Sequence, residues 1–412
     1  MKLNKKIGVI LLITCMMLAT LTSTTATDWP MFQDNPRHTG YISQDTSYST
    51  QEWTTKLDGS IIAPPALSGN ILYVGSDSGK LYALDAQDGN ETWTYDMDGA
   101  IKSTPSISGN TVFTGCDDGY LYSNNAETGT LNWKFKSDDS IQTTPAVADG
   151  KIFFGSDDGY VYALNQNDGS VIWKFKTDDA VQSSPTIDGD TLYIGSDDDK
   201  VYALNINDGS VKWSFATGDN VKSSPAVCDG KVFIGSEDNQ VYALNANDGI
   251  EVWEHNAESS VTGSVSADIR QSTVYVGTEK GDLYALDLRD GLKKWNISVG
   301  SAINSTPSIF GNNIAVGTDS GSMNIYNKFT GNGVWSYNPG YIPNISGTVS
   351  SAVTSGGSLF MTSSDGNVYS LNTDEQIAPM SIYTTYLVAI IVVIVALVAI
   401  YKKIQSRKKQ KK

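Results

Sequence analysis

Tryptophan recurs along this chain at a nearly constant interval of 40 residues. The series is Trp53, Trp93, Trp133, Trp173, Trp213, Trp253, Trp295 and Trp335, with one interval of 42 residues before Trp295. A fixed period of this length indicates a repeat fold, in which each unit buries its apolar face against the next unit. The two extra residues fall at 268–271, between two apolar runs, and predict a longer loop in that unit.

One repeat, residues 180–215, shows what a unit contains. Turns of Asp, Asn and Gly separate four short runs rich in β-branched and aromatic residues, at 181–187, 191–195, 200–205 and 211–215. Such runs predict strands, and Asp-Gly predicts hairpins because glycine accepts the positive φ of a tight turn. Four antiparallel strands in about 40 residues are typical of a β-propeller blade. The repeat therefore predicts an all-β fold built from four-stranded blades.

The units number eight and cover residues 51–375. The last unit has only three predicted strands, whereas the strand at 52–57 has no unit in front of it. We therefore expect strand 52–57 to pair with the strand near 368–372 as the fourth strand of blade 8. This pairing closes the ring and leaves no open sheet that could aggregate.

The N-terminus has the pattern of a targeting segment. Three lysines precede a short apolar run, and small residues follow as far as Ala26, which predicts a secretory signal peptide over residues 1–26. An uncleaved membrane anchor is the alternative interpretation. Residues 27–50 would then be a lead-in to the propeller.

The C-terminus has the pattern of a membrane anchor. Residues 382–401 are uncharged, mostly apolar and long enough to cross a bilayer as a helix. The lysine-rich residues 402–412 follow at once, and such a cluster stays on the cytoplasmic side. Together with the signal peptide, this predicts a single-pass, type I protein of the plasma membrane with an extracellular propeller.

The stretch before each tryptophan resembles the docking motif of the PQQ-like repeat propellers. Ala83, Asp85, Asp88-Gly89 and Trp93 follow that motif over eleven residues, and other units repeat it with small changes. The resemblance covers about residues 28–375. It implies that the eight periodic tryptophans are structural and pack between adjacent blades.

The resemblance implies two kinds of function. Some members are quinoprotein alcohol dehydrogenases with PQQ and calcium on the propeller axis and a pair of adjacent cysteines; others, BamB-like, are non-catalytic scaffolds for protein partners. This chain has no Cys-Cys pair, and its blades have no insertion that would build a pocket. Cys116 and Cys228 are three blades apart, so we expect no disulfide between them. The prediction is a non-catalytic cell-surface scaffold without catalytic residues or bound cofactor; a quinone- or calcium-dependent oxidoreductase is the alternative.

Acidic residues concentrate in loops that a propeller places on one face. They follow second strands, as at Asp197, Asp198 and Asp199, and link blades, as at Asp138-Asp139. The ordinary explanation is turn formation and solubility. The alternative is docking of a basic protein or weak Ca²⁺ binding, with Asp197, Asp198 and Asp199 as weak metal candidates, although no single loop supplies a full calcium ligand set. The net charge of −16 argues against nucleic acid as a partner.

Polar residues also occupy inward positions of the predicted first strand in six of the units. They are Lys102, Gln142, Gln182, Lys222, Thr262 and Asn304. The ordinary interpretation is the lining of a narrow wet channel, and the alternative is a site for a small polar ligand on the axis.

Four sequons would be available for glycosylation in an extracellular propeller. They begin at Asn90, Asn296, Asn304 and Asn344.

Overall fold

The computed structural model describes residues 41–42, 47–337, 349–355 and 358–374. These residues form eight sheets, and the first strands of successive sheets contact one another around a common axis. Within the described ranges there are strands and turns but no helix. The all-β, eight-bladed propeller predicted from the repeat is confirmed.

The blades share one plan, in which four consecutive strands run antiparallel from the axis to the rim. The first strands are Ala66–Ser68, Ser106–Ser108, Ala146–Ala148, Thr186–Asp188, Ala226–Cys228, Ser266–Asp268, Ser308–Phe310 and Val353–Ser355. The second strands are Ile71–Gly75, Thr111–Gly115, Lys151–Gly155, Thr191–Ser196, Lys231–Gly235, Thr273–Gly277, Asn313–Gly317 and Ser358–Thr362. The third strands are Lys80–Asp85, Tyr120–Asn125, Tyr160–Asn165, Lys200–Asn205, Gln240–Asn245, Asp282–Asp287, Met323–Asn327 and Asn367–Asp374. The fourth strands are Glu91–Asp96, Leu131–Lys136, Val171–Lys176, Val211–Ala216, Glu251–Asn256, Lys293–Ser298, Gly333–Tyr337 and, in blade 8, Ser47–Lys56.

The ring closes with a strand from the N-terminal side of the chain. Ser47–Lys56 pairs antiparallel with Asn367–Asp374, so that Trp53 lies opposite Ser370. The closing strand predicted at 52–57 is therefore confirmed, but it begins at Ser47 and takes in residues assigned to the lead-in.

A short strand of the lead-in lies on the axis, which the sequence did not indicate. Tyr41–Ile42 pairs in parallel with Ile309 and Phe310 of the innermost strand of blade 7. Blade 7 consequently has five strands, and its fifth strand occupies part of the axial space.

The inner ends of the blades are joined by hydroxyl groups. The backbone N–H of Thr144 donates to the Ser184 hydroxyl at 2.9 Å, and that of Ser184 donates to the Ser224 hydroxyl at 2.9 Å, one blade further on. Pro185 has no N–H to give to a sheet. The first strand predicted at 181–187 therefore begins only at Thr186, because Ser184 bonds to the neighbouring blades and Pro185 cannot donate.

Apolar side chains of the second and third strands fill the space between blades. Between blades 4 and 5, for example, Tyr193, Val201, Trp213, Val221 and Val232 form one buried cluster. Burial at each junction, about 25 cal/mol per Å² of apolar surface removed from water, makes every blade depend on its neighbours.

The two faces of the disc are built from different connections. On one, which we call the loop face, blade-linking loops adjoin the loops from second to third strand, as where the Asp117 N–H donates to Ala100 O at 2.9 Å. On the other, the turn face, the first-to-second and third-to-fourth turns meet, as where the Ala126 N–H donates to Asn110 O at 3.0 Å.

The predicted signal peptide (1–26), membrane segment (382–401) and basic tail (402–412) lie outside the described residues. Among the residues described, no helix has the length and apolar character needed to span a bilayer.

Candidate functional site

The docking tryptophans join each blade to the next. The indole Nε1 of Trp213 donates to the carbonyl oxygen of Ala246 at 3.0 Å, and its ring centroid lies 5.8 Å from that of Tyr193. The same donation to the next blade is made by Trp53, Trp93, Trp133, Trp173, Trp253 and Trp295. Trp335 packs against the buried apolar cluster that includes Phe360 and Leu371 of blade 8.

A glycine of the next blade lies against each of these seven rings. Gly249 has a φ of 71°, and a Cβ at this residue would come within 2.6 Å of the Trp213 ring. A side chain there would both strain the backbone and displace the indole. The glycine of the docking motif is thus required by the tryptophan of the preceding blade.

Near the axis, the loop face carries carboxylates paired with the polar residues predicted to line a channel. Lys102 contacts Asp117 at 2.7 Å, and Lys222 contacts Glu237 at 2.9 Å. The Asn304 side chain repeats this arrangement in blade 7. Its Nδ2 donates to Asp319 at 2.9 Å, fifteen residues along the chain.

The remaining inward residues differ from this pattern. Gln182 donates instead to Asp157 of the preceding blade at 3.2 Å, and the Thr262 hydroxyl donates to Asn304 Oδ1 at 2.8 Å. Gln142 is half-buried at the same position of blade 3. The inward residues therefore form an inner polar ring with the loop carboxylates, rather than an uninterrupted channel wall.

Five of the loop-face aspartates predicted as surface charge have a structural role. In these five blades an aspartate of the second-to-third loop accepts a bond from the tyrosine four residues later, as in Tyr202 to Asp198 at 2.6 Å. The same pair recurs as Tyr122–Asp118, Tyr162–Asp158, Tyr242–Asp238 and Tyr369–Asp365. These carboxylates, together with burial, hold the pKa of Tyr122 and Tyr202 above the ordinary range. The sequence signal was present as Asp and Tyr four residues apart.

The side chains of the three weak metal candidates, Asp197, Asp198 and Asp199, lie in three different environments. Asp198 is buried with Tyr202, whereas Asp199 is exposed, has a φ of 63° and accepts the Thr217 N–H at its carbonyl. Asp197 is half-buried in the inner polar ring, and its Oδ1 has no hydrogen-bond partner. The three carboxylates thus do not converge as the ligands of one ion would.

Asp197 has the most unusual electrostatic surroundings of the inner polar ring. Burial raises its pKa to about 6, against the opposing effect of Lys222 and with a contribution from the carboxylates of Glu237, Asp179 and Asp157. Burial also raises the pKa of Asp157 and of Asp319. Part of the negative charge of this ring is therefore neutralised by protons near pH 6.

We expect Asp197→Asn to stabilise the propeller at pH 7 to 8 and to lose that advantage in acid. The folded chain holds the Asp197 proton more tightly than the unfolded chain, whose Asp pKa is about 3.9. Charged Asp197 therefore weakens the fold above pH 6, and protonation between about pH 6 and pH 4 removes this penalty. Urea unfolding midpoints of the wild type and Asp197→Asn, measured across this pH range, should approach each other as the pH falls.

The exposed neighbour Asp199→Asn removes the same charge and is the control. If Asp199→Asn raised the urea midpoint as much as Asp197→Asn, with the same pH dependence, the effect would come from net charge rather than from the burial of Asp197.

A cavity of about 330 Å³ lies at the axis between blades 6, 7, 8 and 1. Its wall combines Ile62, Pro64 and Val349 with eight polar residues: Thr262, Ser264, Asn304, Ser305, Thr306, Asp319, Ser350 and Ser351. Blades 2 to 5 carry longer Lys or Gln side chains at the position equivalent to Thr262. Its size and hydroxyl groups would suit a small polar ligand, and that alternative stays a prediction.

The described residues do not fit PQQ with calcium, the group that the resemblance implies on the axis. Calcium takes six to eight oxygen ligands, whereas the inner carboxylates Asp117 and Glu237 are paired with lysines. Among the described residues, no three His, Cys, Asp or Glu side chains come together as a metal site.

The two cysteines of the propeller are separate, buried thiols. Burial raises the pKa of Cys116 to about 12, so this thiol stays protonated and unreactive. Cys228 ends the first strand of blade 5.

Three of the four predicted glycosylation positions are described, and all three are exposed. Asn90 lies in a third-to-fourth turn and Asn296 on an outer strand. Asn304 borders the axial cavity, so a glycan there would cover the cavity. Asn344 lies outside the described residues.

Comparisons with known proteins agree with this architecture. A family model described as the β-propeller of beta-alanine-activating enzyme matches residues 167–396, and one described as outer membrane protein assembly factor BamB matches residues 42–158 and 99–180. No curated protein sequence matches significantly.

Solved structures share the fold at low sequence identity. BamB from Moraxella catarrhalis is 21% identical, with a TM-score of 0.67 over 78% of this chain and 99% of its own. The computationally designed protein Ika8 is 18% identical, with a TM-score of 0.70 over 78% and 100%. Quinohemoprotein alcohol dehydrogenase from Comamonas testosteroni is 16% identical, with a TM-score of 0.72 over 85% and 81%.

The first family model spans more than half of the chain, and its match overlaps that of the second. Both agree with the docking motif and the eight blades. The chain therefore belongs to the family described as the β-propeller of beta-alanine-activating enzyme, and is a BamB-like propeller of PQQ-like repeats.

Proposed function

We propose that this chain is a non-catalytic binding scaffold, anchored outside a membrane by residues 382–401, whose loop face docks a basic protein partner. The observation that carries the proposal is the ring of exposed carboxylates in the blade-linking loops of that face. The likeness to BamB, itself named as an outer membrane protein assembly factor, supports a role in binding proteins.

The exposed ring repeats from blade to blade. Its members are Asp58, Asp98, Asp138, Asp139, Asp178, Asp179, Asp219 and Glu258. Lys80 and Lys200 contact two of them, Asp58 and Asp178, but these pairs are exposed and largely screened by water and salt. The other six carboxylates lie in the linkers that join blades 1 to 6 and give a basic partner a negative arc on this face. The linker between blades 6 and 7, residues 299–302, has no carboxylate.

The turn face also carries aspartates, so acidity is not confined to one face as the sequence predicted. Carboxylates on both faces bond within their own loops. On the turn face Asp168 accepts the Ser170 hydroxyl at 2.6 Å, and on the loop face Asp139 and Asp179 each accept the N–H of the following residue at 2.7 Å.

We expect a loop-face variant to lose affinity for a basic peptide. Changing Asp138, Asp139, Asp178 and Asp179 to Asn removes four neighbouring charges. Since each exposed ion pair is worth roughly 0.2–1 kcal/mol, binding of a lysine-rich peptide at low salt should weaken by about tenfold or more. Isothermal titration of the full chain in detergent would measure it.

The matched control removes four exposed charges from the turn face, at Asp149, Asp168, Asp208 and Asp248. Equal losses from both variants would show that only net charge matters and would overturn the assignment of a docking face.

The membrane arrangement has its own expected result. Protease added to intact cells should remove the propeller and spare a tag placed after residue 412, because the basic tail stays inside. A propeller protected in intact cells but digested after lysis would contradict the type I arrangement.

A quinone- or calcium-dependent oxidoreductase remains the second candidate, since the dehydrogenase of Comamonas testosteroni shares the fold. Spectral titration of the chain with PQQ and Ca²⁺ separates the two. Stoichiometric binding with dye-linked dehydrogenase activity would replace the scaffold proposal.

A further inference from the structure

Four large apolar side chains project from the turn face of blades 5 to 7. Ile250 and Leu292 occupy one equivalent turn position and are 65% and 68% exposed. Ile269 lies in the longer turn of blade 6 and is 61% exposed, and Phe329 lies in the third-to-fourth turn of blade 7. The other blades have polar residues at the position of Ile250 and Leu292: Asn90, Thr130, Ser170, Ser210 and Asn332.

Buried contacts bring these turns together. Lys328 pairs with Asp268 at 2.8 Å, which places Phe329 beside the turn that holds Ile269. The Trp253 indole donates to Leu288 O at 3.1 Å, which fixes the outer strand of blade 5 against the turn that carries Leu292. The apolar side chains thus belong to one sector of the face.

The same sector carries arginine. Arg270 and Arg289 are the only arginines among the described residues, both are exposed, and both lie in the turns of blade 6. The blade 6 turns and the strand after them hold four basic residues, with Lys293 and Lys294, against Asp268, Asp287 and Asp290. Lys328 offsets the charge of Asp268, and Arg289 is paired with Asp287 at 3.1 Å. The turns of blade 6 together with Lys328 therefore carry a small excess of positive charge, whereas the adjoining turns of blade 5 carry Asp229, Asp248 and Glu251 against Lys231.

The chain leaves the propeller on the same side. Asn367–Asp374 runs from the loop face to the turn face, since its first residue follows the second-to-third loop of blade 8. Residues 375–381 separate it from the predicted membrane segment. Seven residues span at most about 25 Å, so an anchored propeller has its turn face held close to the bilayer.

We propose that the turn patch, formed by Ile250, Ile269, Arg270, Arg289, Leu292 and Phe329, rests on a phospholipid surface with anionic headgroups. The inference rests on the proposed membrane anchor. Apolar side chains enter the boundary between headgroups and acyl chains, and arginine binds phosphate through paired N–H groups. The disc then tilts onto blades 5 to 7, and the loop face is turned toward the medium and any partner.

The test uses the full chain reconstituted into vesicles of phosphatidylcholine and phosphatidylglycerol that contain a headgroup-nitroxide lipid. A fluorophore is attached at Gln271→Cys, an exposed position within the patch, or at Asp138→Cys on the loop face. We expect the nitroxide to quench the fluorophore at position 271 several-fold more than the one at 138. Equal quenching at the two positions in an anchored protein would overturn the proposal that the turn patch contacts lipid.

A second variant gives blades 5 to 7 the polar residues that blade 4 carries at the equivalent positions. Ile250→Ser and Leu292→Ser copy Ser210, and Phe329→Asn copies Asn207. Quenching at position 271 should fall toward that at 138, while near-ultraviolet circular dichroism, which reports the fold, stays the same. Unchanged quenching would show that these side chains do not contact lipid.

Flotation of the vesicles in alkaline carbonate tests the anchor separately. Protein that is stripped by carbonate, yet still quenched at position 271 at neutral pH, would contradict the anchor and support the patch. Protein that resists carbonate without quenching at 271 would contradict the patch and support the anchor.

Discussion

Replacing Trp213 by alanine should destabilise the propeller by about 3–5 kcal/mol, the range measured for buried aromatic residues. The indole is 7% exposed and is held between Tyr193 of its own blade and Gly249 of the next. Its loss leaves a cavity at the junction of blades 4 and 5 and removes one of the two donors to Ala246 O, which keeps the Tyr193 hydroxyl at 3.0 Å. Because each blade is stabilised by its neighbours, the damage should spread through the ring.

Urea unfolding followed by circular dichroism would measure this loss. Val211→Ala lies on the same strand at a half-exposed position and should change the free energy of unfolding by less than about 0.5 kcal/mol. Trp213→Phe keeps most of the apolar contact but loses the hydrogen-bond donor. Its loss of unfolding free energy should therefore lie between those of Val211→Ala and Trp213→Ala. A Trp213→Ala loss no larger than that of Val211→Ala would show that the tryptophans do not hold the blades together.

Lys328→Met should be comparably damaging, at about 3–5 kcal/mol, although it replaces a charge with an apolar side chain of similar length. Lys328 and Asp268 are 3% and 1% exposed and lie 2.8 Å apart. Asp268 Oδ1 also accepts the backbone N–H of Arg270 at 3.0 Å, so the carboxylate is fixed in place. Removal of the lysine leaves a buried charge without its counter-ion.

Two further variants identify the cause. Lys231→Met breaks an exposed pair with Asp229 at 3.3 Å and should change stability by less than about 1 kcal/mol. Adding Asp268→Asn to Lys328→Met removes the unpaired charge while keeping the acceptor oxygen, so the double variant should regain part of the loss. A double variant less stable than Lys328→Met alone would show that the buried charge is not the cause.

Features common to all repeats could be predicted from the sequence. The period of the tryptophans gave the number of blades, and the surplus strand at 52–57 gave the closure of the ring. Both follow from local patterns that recur eight times, so no single repeat had to be interpreted alone.

Features that belong to one repeat could not be predicted. The contact of Asp268 with Lys328 joins residues sixty positions apart. Asp188 occupies the position of Asp268 in blade 4, but no described blade has a second lysine at the position of Lys328. Adjacent turn residues such as Asp197 and Asp198 look equivalent in sequence, but only Asp198 accepts the Tyr202 hydroxyl. Tyr41–Ile42 is too short a strand to produce any pattern.

The candidate binding surfaces were predicted only in outline. The acidic loops were expected on one face, and the linker acids do lie there. Which carboxylates stay available depends on side-chain bonds, as at Asp168, and periodicity does not reveal these bonds. The turn patch arises where Ile250, Leu292 and Phe329 differ from the residues at the equivalent positions of other blades. A pattern common to all blades does not reveal such differences.

The strand that leads toward the C-terminal segment has a mechanical consequence. Asn367–Asp374 is hydrogen-bonded on one side to Ser358–Thr362 and on the other to the closing strand Ser47–Lys56. Tension applied through the C-terminus therefore pulls along a strand with two partners, and the bonds on both sides must shear together instead of opening one at a time. Resistance to force depends on the rate of unfolding rather than on its equilibrium free energy. By pairing with the strand that a membrane tether would pull, the closing strand should slow the unfolding of the propeller under force.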